Sequence, residues 1–159
     1  MARNTALANR LREVYLSGKW IANTNYKEQI ENLNWKQATQ QVENLNTIAL
    51  LIYHINYYLA GLLNVFNGGK LEIRDKYSFD APLITSETDW KNLMTEFLLN
   101  SEEFASHVEN MSDSHLDATF VDKKYGTYQK NIEGVIEHSY YHLGQISLIN
   151  KMILVKENV

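Results

Sequence analysis

The sequence predicts an all-α fold, a four-helix bundle, with residues 1–159 forming a single domain. Three observations lead there. Pro82 is the one proline in the chain. Apolar residues recur at helical spacing over four long segments, and few β-branched runs alternate as a strand would require. With 45% hydrophobic residues, 159 residues suffice for a sizeable core.

The first helix is expected from about Thr5 to Ser17, with Leu7, Leu11, Val14 and Tyr15 inside and Ser17-Gly18 as its stop. A shorter helical piece follows around Tyr26 to Leu33, then an irregular stretch through Trp35 and Gln41. Asn46-Thr47 offers the N-cap of the second long helix, about Thr47 to Phe66, which Asn67-Gly68-Gly69 ends. Residues 70–85 have no clear period and read as a long connection across the bundle. Ser86 or Thr88 caps the third helix, and Glu87 and Asp89 favour its first turn. Trp90, Leu93, Met94, Phe97, Leu98, Phe104 and Val108 form its core face. Residues 111–126 read as a polar connection, and the fourth helix runs from about Thr127 to Leu154.

Composition removes several functions. Without cysteine there is no disulfide, thiolate metal site or cysteine nucleophile, so any thiol must arrive with a substrate. A net charge of -4 argues against nucleic acid as a partner. Residues 44–69 lack Asp, Glu, Lys and Arg, yet His54, Asn56 and three tyrosines lie within them, which fits a buried bundle helix better than a membrane span. The first fifteen residues have no apolar core segment, so a cytoplasmic location is expected.

The chemistry concentrates in three histidines. His138 and His142 stand four apart, roughly 40° around a helix, with Gln145 on the same arc. Val135, Ile149 and Met152 share that arc, so both rings are expected to point inward. Around His54 the corresponding arc holds Leu50, Leu51, Tyr57, Tyr58 and Val65, again an inward direction. Three buried imidazoles need partners for six ring nitrogens, and one cation satisfies three of them. Core histidines with hydrogen-bonded ring nitrogens are the alternative. Gly61 and Gly134 lie on the two histidine faces, where they make room for close approach or a ligand. Tyr58 and Tyr141 are either core aromatics with a polar tip or donors to a substrate. His107, among Glu102, Glu103 and Glu109, and His115, beside acidic residues, read as surface residues. A zinc-peptidase reading fails because the residue after His138 is Ser139 where a glutamate base is required.

The helix-two His54 together with His138-x-x-x-His142-x-Gly144-Gln145 resembles the DinB/YfiT-like superfamily, and Gly18-Lys19-Trp20 after the first helix is similar to a recurrent feature of it. The resemblance implies a four-helix bundle in which His54, His138 and His142 bind a divalent cation, zinc or nickel first and iron or manganese next. Gln145, Tyr58 and Tyr141 would then support the centre or contact substrate. It also implies a homodimer, with which the tyrosines outside the inward arcs, Tyr53 and Tyr140, agree. Characterised members use low-molecular-weight thiols, as bacillithiol-dependent S-transferases or a mycothiol-dependent maleylpyruvate isomerase. The expected function is therefore a metal-dependent enzyme acting on a small molecule, a thiol S-transferase or isomerase. A metal-dependent hydrolase and a non-catalytic metal- or ligand-binding dimeric bundle remain open beside it. Leu143 departs from the family, where arginine is common at that place.

Overall fold

The computed structural model describes residues 1–157, all-helical and without a strand among the described residues. Helix α1 (Arg3–Arg12) continues through a π-helical turn (Glu13–Ser17). It is followed by α2 (Tyr26–Ile30), α3 (Trp35–Ala38), α4 (Ile48–Phe66), α5 (Glu87–Glu109), α6 (Asp113–Leu116) and α7 (Tyr128–Glu157). The four long helical segments form a closed ring of neighbours: α1 packs on α5 and α7, and α4 packs on the same two.

Helix starts follow the capping residues. Thr47 Oγ1 accepts the Leu50 N–H at 3.1 Å, and Ser86 Oγ accepts that of Asp89 at 3.1 Å, each satisfying one orphan donor of a first turn. Gly68, in the left-handed region at φ 88°, follows the end of α4. Two expected connections prove more ordered than their polarity suggests. Asn34 and Gln37 form a reciprocal capping box that starts α3 inside the stretch expected to be irregular. Between Met111 and Gly126, Ser112 caps α6, and Leu116 and Phe120 enter the core.

The core is aromatic at its centre. Tyr15, Tyr26 and Phe97 pack with ring centroids 5.4–5.7 Å apart. Burial on this scale contributes about 1.5–3 kcal/mol per large side chain. Both phenols keep hydrogen bonds while buried. Tyr26 Oη donates to the Ser139 carbonyl at 2.7 Å, and Tyr15 Oη lies 2.5 Å from Ser139 Oγ. Helix α4 is long and apolar enough to cross a membrane by length and composition, but 61% of that window is buried within the bundle.

The histidine faces point inward as expected: His54 and His142 are buried and His138 is half-buried. Ile132, Ile136, Ser139, Leu143, Ile146 and Ile153 make the middle of the buried stripe of α7, and His138 and His142 flank it roughly 70–110° round the helix, on the side of the buried Ile149. His54 is similarly displaced on α4, where Ile48, Ile52, Ile55 and Leu59 lead inward. The apolar side chains claim the centre, and the imidazoles meet along a seam between α4 and α7. Leu143 is a core residue, 1% exposed.

Residues 70–85 form a strap over that seam. Tyr57 Oη accepts the Arg74 N–H at 2.9 Å, Tyr58 Oη donates to Asp75 at 2.8 Å, and a 3-10 turn (Asp75–Tyr77) follows. Gly61 lets the strap approach α4: a Cβ built there would stand 2.8 Å from Ile73 Cδ1. The space expected from Gly61 for a ligand is therefore taken by the chain itself.

Candidate metal centre

Helix spacing brings His138 and His142 onto one turn of α7, and the packing of α4 against α7 brings in His54 from 84 residues away. His138 Nε2 lies 3.2 Å from His54 Nε2 and 3.0 Å from His142 Nε2. The ligand atoms of all three residues lie within 4.8 Å of one another. Two nitrogens bound to one ion at about 2.0–2.1 Å stand roughly 2.9–3.4 Å apart at octahedral to tetrahedral angles. The two separations from His138 fall in that range.

Outer partners set the tautomers. His54 Nδ1 faces the Ser78 carbonyl at 3.3 Å, and His142 Nδ1 faces Gln145 Oε1 at 2.7 Å. Both contacts call for Nδ1–H as donor, which leaves lone pairs on the Nε2 atoms aimed at His138. A single proton on His138 Nε2 serves two such lone pairs poorly, whereas one cation serves all three nitrogens. This donor set, neutral imidazoles with oriented Nδ1–H groups, fits a divalent metal ion.

Gln145 thus contacts His142 from the turn that follows it. Tyr58 sets its ring edge against His54 and His138, with centroids 5.1 and 5.4 Å away, and commits its hydroxyl to Asp75. Tyr141 borders His142 at 4.9 Å but is 65% exposed, on the rim rather than in the seam. His107 lies 3.8 Å from Glu103 and His115 packs on Tyr128, both away from the triad.

Sequence reasoning missed the strap's contribution. Phe79 stacks on His54 with a centroid distance of 4.0 Å and an angle of 11°, and Ser78, buried itself, supplies the carbonyl. Neither residue carries a motif. Only the length of the 70–85 connection hinted at a role, since long loops in compact domains are commonly functional.

Burial lowers the pKa of all three histidines. His138 falls furthest, to about 4, with the neighbouring His142 and His54 adding to the effect of desolvation. The unfolded chain, with histidine near 6.5, binds protons that the folded metal-free protein refuses. Stability of the metal-free protein is therefore complete above about pH 6.5 and declines as pH falls towards 4. Urea unfolding at pH 7.5, 6.5 and 5.5 should show that decline, and His138→Ala should flatten it. A midpoint constant over that range would contradict these lowered values.

The geometry has a counterpart in a known family. The sequence profile of the DinB superfamily matches residues 23–146, a span that holds all three histidines and Gln145. No curated protein and no solved structure gives a significant match. With more than half of its length inside that profile, the chain belongs to the DinB superfamily.

Proposed function

We propose that this chain is a divalent-metal-dependent enzyme that holds its ion through His54, His138 and His142 and acts on a small molecule, with a low-molecular-weight thiol as the favoured co-substrate. One observation carries it: the three imidazoles converge through Nε2, two of them with Nδ1 already matched to an acceptor.

A zinc or nickel ion held by His54, His138 and His142 would supply Lewis acidity to a bound substrate group. The chain's own residues do the rest. Gln145 and the Ser78 carbonyl hold two imidazoles in orientation, and Phe79 closes one side of His54 against water. Tyr58, hydrogen-bonded to Asp75, fixes the strap beside His138. With no cysteine in the sequence, a sulfur nucleophile comes from the substrate, which suits S-transfer or isomerisation. The same reading includes a homodimer in the cytoplasm without nucleic-acid or membrane partners, which the acidic composition and the family resemblance support.

Native, metal-stripped and reloaded protein should be assayed for conjugation of a model electrophile such as monochlorobimane with bacillithiol, mycothiol or glutathione. Activity above buffer that is lost on stripping and restored by zinc or nickel is the expected result. If the metal binds and no thiol reacts, thiol transfer is wrong, and metal-dependent hydrolysis or simple binding takes its place.

A further inference from the structure

Beside the triad lies a cavity of about 630 Å³ whose lining includes His138, Tyr58, Arg74 and Lys130. Leu62, Ile73, Phe120 and Val135 supply apolar wall. Two features make it more than surface relief. Gly134 lies in the interior of α7, one turn before His138 and on the same stripe, and it lines the cavity. A Cβ added at Gly134 would meet nothing within 4 Å, so no protein packing accounts for a residue that weakens a helix. The space above it stays open for something else.

The second feature is charge. In a chain of net charge -4, Arg74 and Lys130 both line this cavity, and neither forms an ion pair within 4 Å among the described residues. The acid in the lining, Asp75, accepts the Tyr58 hydroxyl. The lining therefore carries two cations without an ion-pair partner, and a guanidinium fork matches a carboxylate.

We infer that this cavity binds an apolar carboxylate. Its hydrocarbon body lies over Gly134 between Ile73, Phe120 and Val135, its carboxylate meets Arg74 and Lys130, and its other end reaches towards His138. This assigns a substrate class to the metal centre and rests on the function proposed above. Arg74 and Lys130 read the charge, and Gly134 sets the space.

The probes are 4-phenylbutyrate and its neutral analogue 4-phenylbutanol, titrated by calorimetry into full-length protein with and without zinc. Shifts of the Gly134 and Val135 amide NMR signals locate the bound probe. The acid should bind at least about 10-fold more tightly than the alcohol and move both amides. The paired substitution Arg74→Gln and Lys130→Gln, at exposed positions, should erase the acid's advantage while the alcohol still binds. Gly134→Leu should abolish binding of both probes, with zinc content and melting temperature retained. Equal affinity for acid and alcohol, no shift at Gly134, or an acid preference that survives the paired substitution would overturn the inference. Zinc bound without acid binding leaves the metal centre standing and removes the carboxylate site. Acid binding in a protein that takes up no zinc does the reverse.

Discussion

Alanine in place of His54, His138 or His142 lowers affinity for zinc or nickel by at least about 100-fold, because losing a ligand exceeds the 10–100-fold cost of losing an outer-shell partner. Gln145→Ala removes only such a partner, the acceptor 2.7 Å from His142 Nδ1, and should weaken binding by about 10-fold. His107→Ala and His115→Ala serve as controls, since one ring faces Glu103 and the other packs on Tyr128. Metal content after dialysis against a competing chelator ranks all five histidine variants and Gln145→Ala in one experiment. Equal retention of metal by every variant would dissolve the centre. A loss confined to one of the three would mean that the other two rings are held for packing. His142 is 6% exposed, so circular dichroism of each variant must accompany the metal analysis to separate lost ligation from lost fold.

The histidines were legible because a helix converts sequence spacing into direction, so His138, His142 and Gln145 had to share a side of α7. Their inward direction was legible from the arc of Val135, Ile149 and Met152, and His54, His142 and Ile149 are buried. Their place at the flank was not, because Ile132, Ile136, Leu143 and Ile146 hold the middle of the stripe. A helix rotates to bury the larger sum of apolar area, and two imidazoles do not outweigh four large aliphatic chains. The caps at Thr47 and Ser86 were legible for a local reason: side chain and first turn are three residues apart. The capping box at Asn34 obeys the same rule, but it opens a helix of four residues, too short for periodicity to announce it. Long-range pairings leave no such mark. Nothing near Ser78 or Phe79 signals that they lie on His54, because the contact depends on where the strap crosses α4. Phe120 likewise sits in a polar segment and enters the core only through the fold.

One such long-range contact carries a large share of stability. Trp90, in the first turn of α5, is fully buried and donates its indole N–H to the Leu33 carbonyl at 2.8 Å. That bond ties α5 to the turn between α2 and α3, beside a second link in which Glu87 accepts the Trp35 N–H at 3.0 Å. Trp90→Ala removes the largest side chain of the core and leaves a cavity as well as an unpaired carbonyl, a combined cost of about 3–5 kcal/mol. For a chain of this size each kcal/mol moves the melting temperature by about 2–4 °C, so a fall of about 6–20 °C is expected. Trp90→Phe separates the two contributions. It keeps most of the apolar volume and loses the donor, and should cost about 1–3 kcal/mol. Because Trp90 lies outside the lining of the cavity beside the triad, Trp90→Phe should bind zinc as the parent does at temperatures where both are folded. Thermal melts of the two variants test the packing, and metal content on the same samples tests its independence from the centre. If Trp90→Ala melts within about 2 °C of the parent, the turn at Leu33 is not anchored through α5 and the core closes without it.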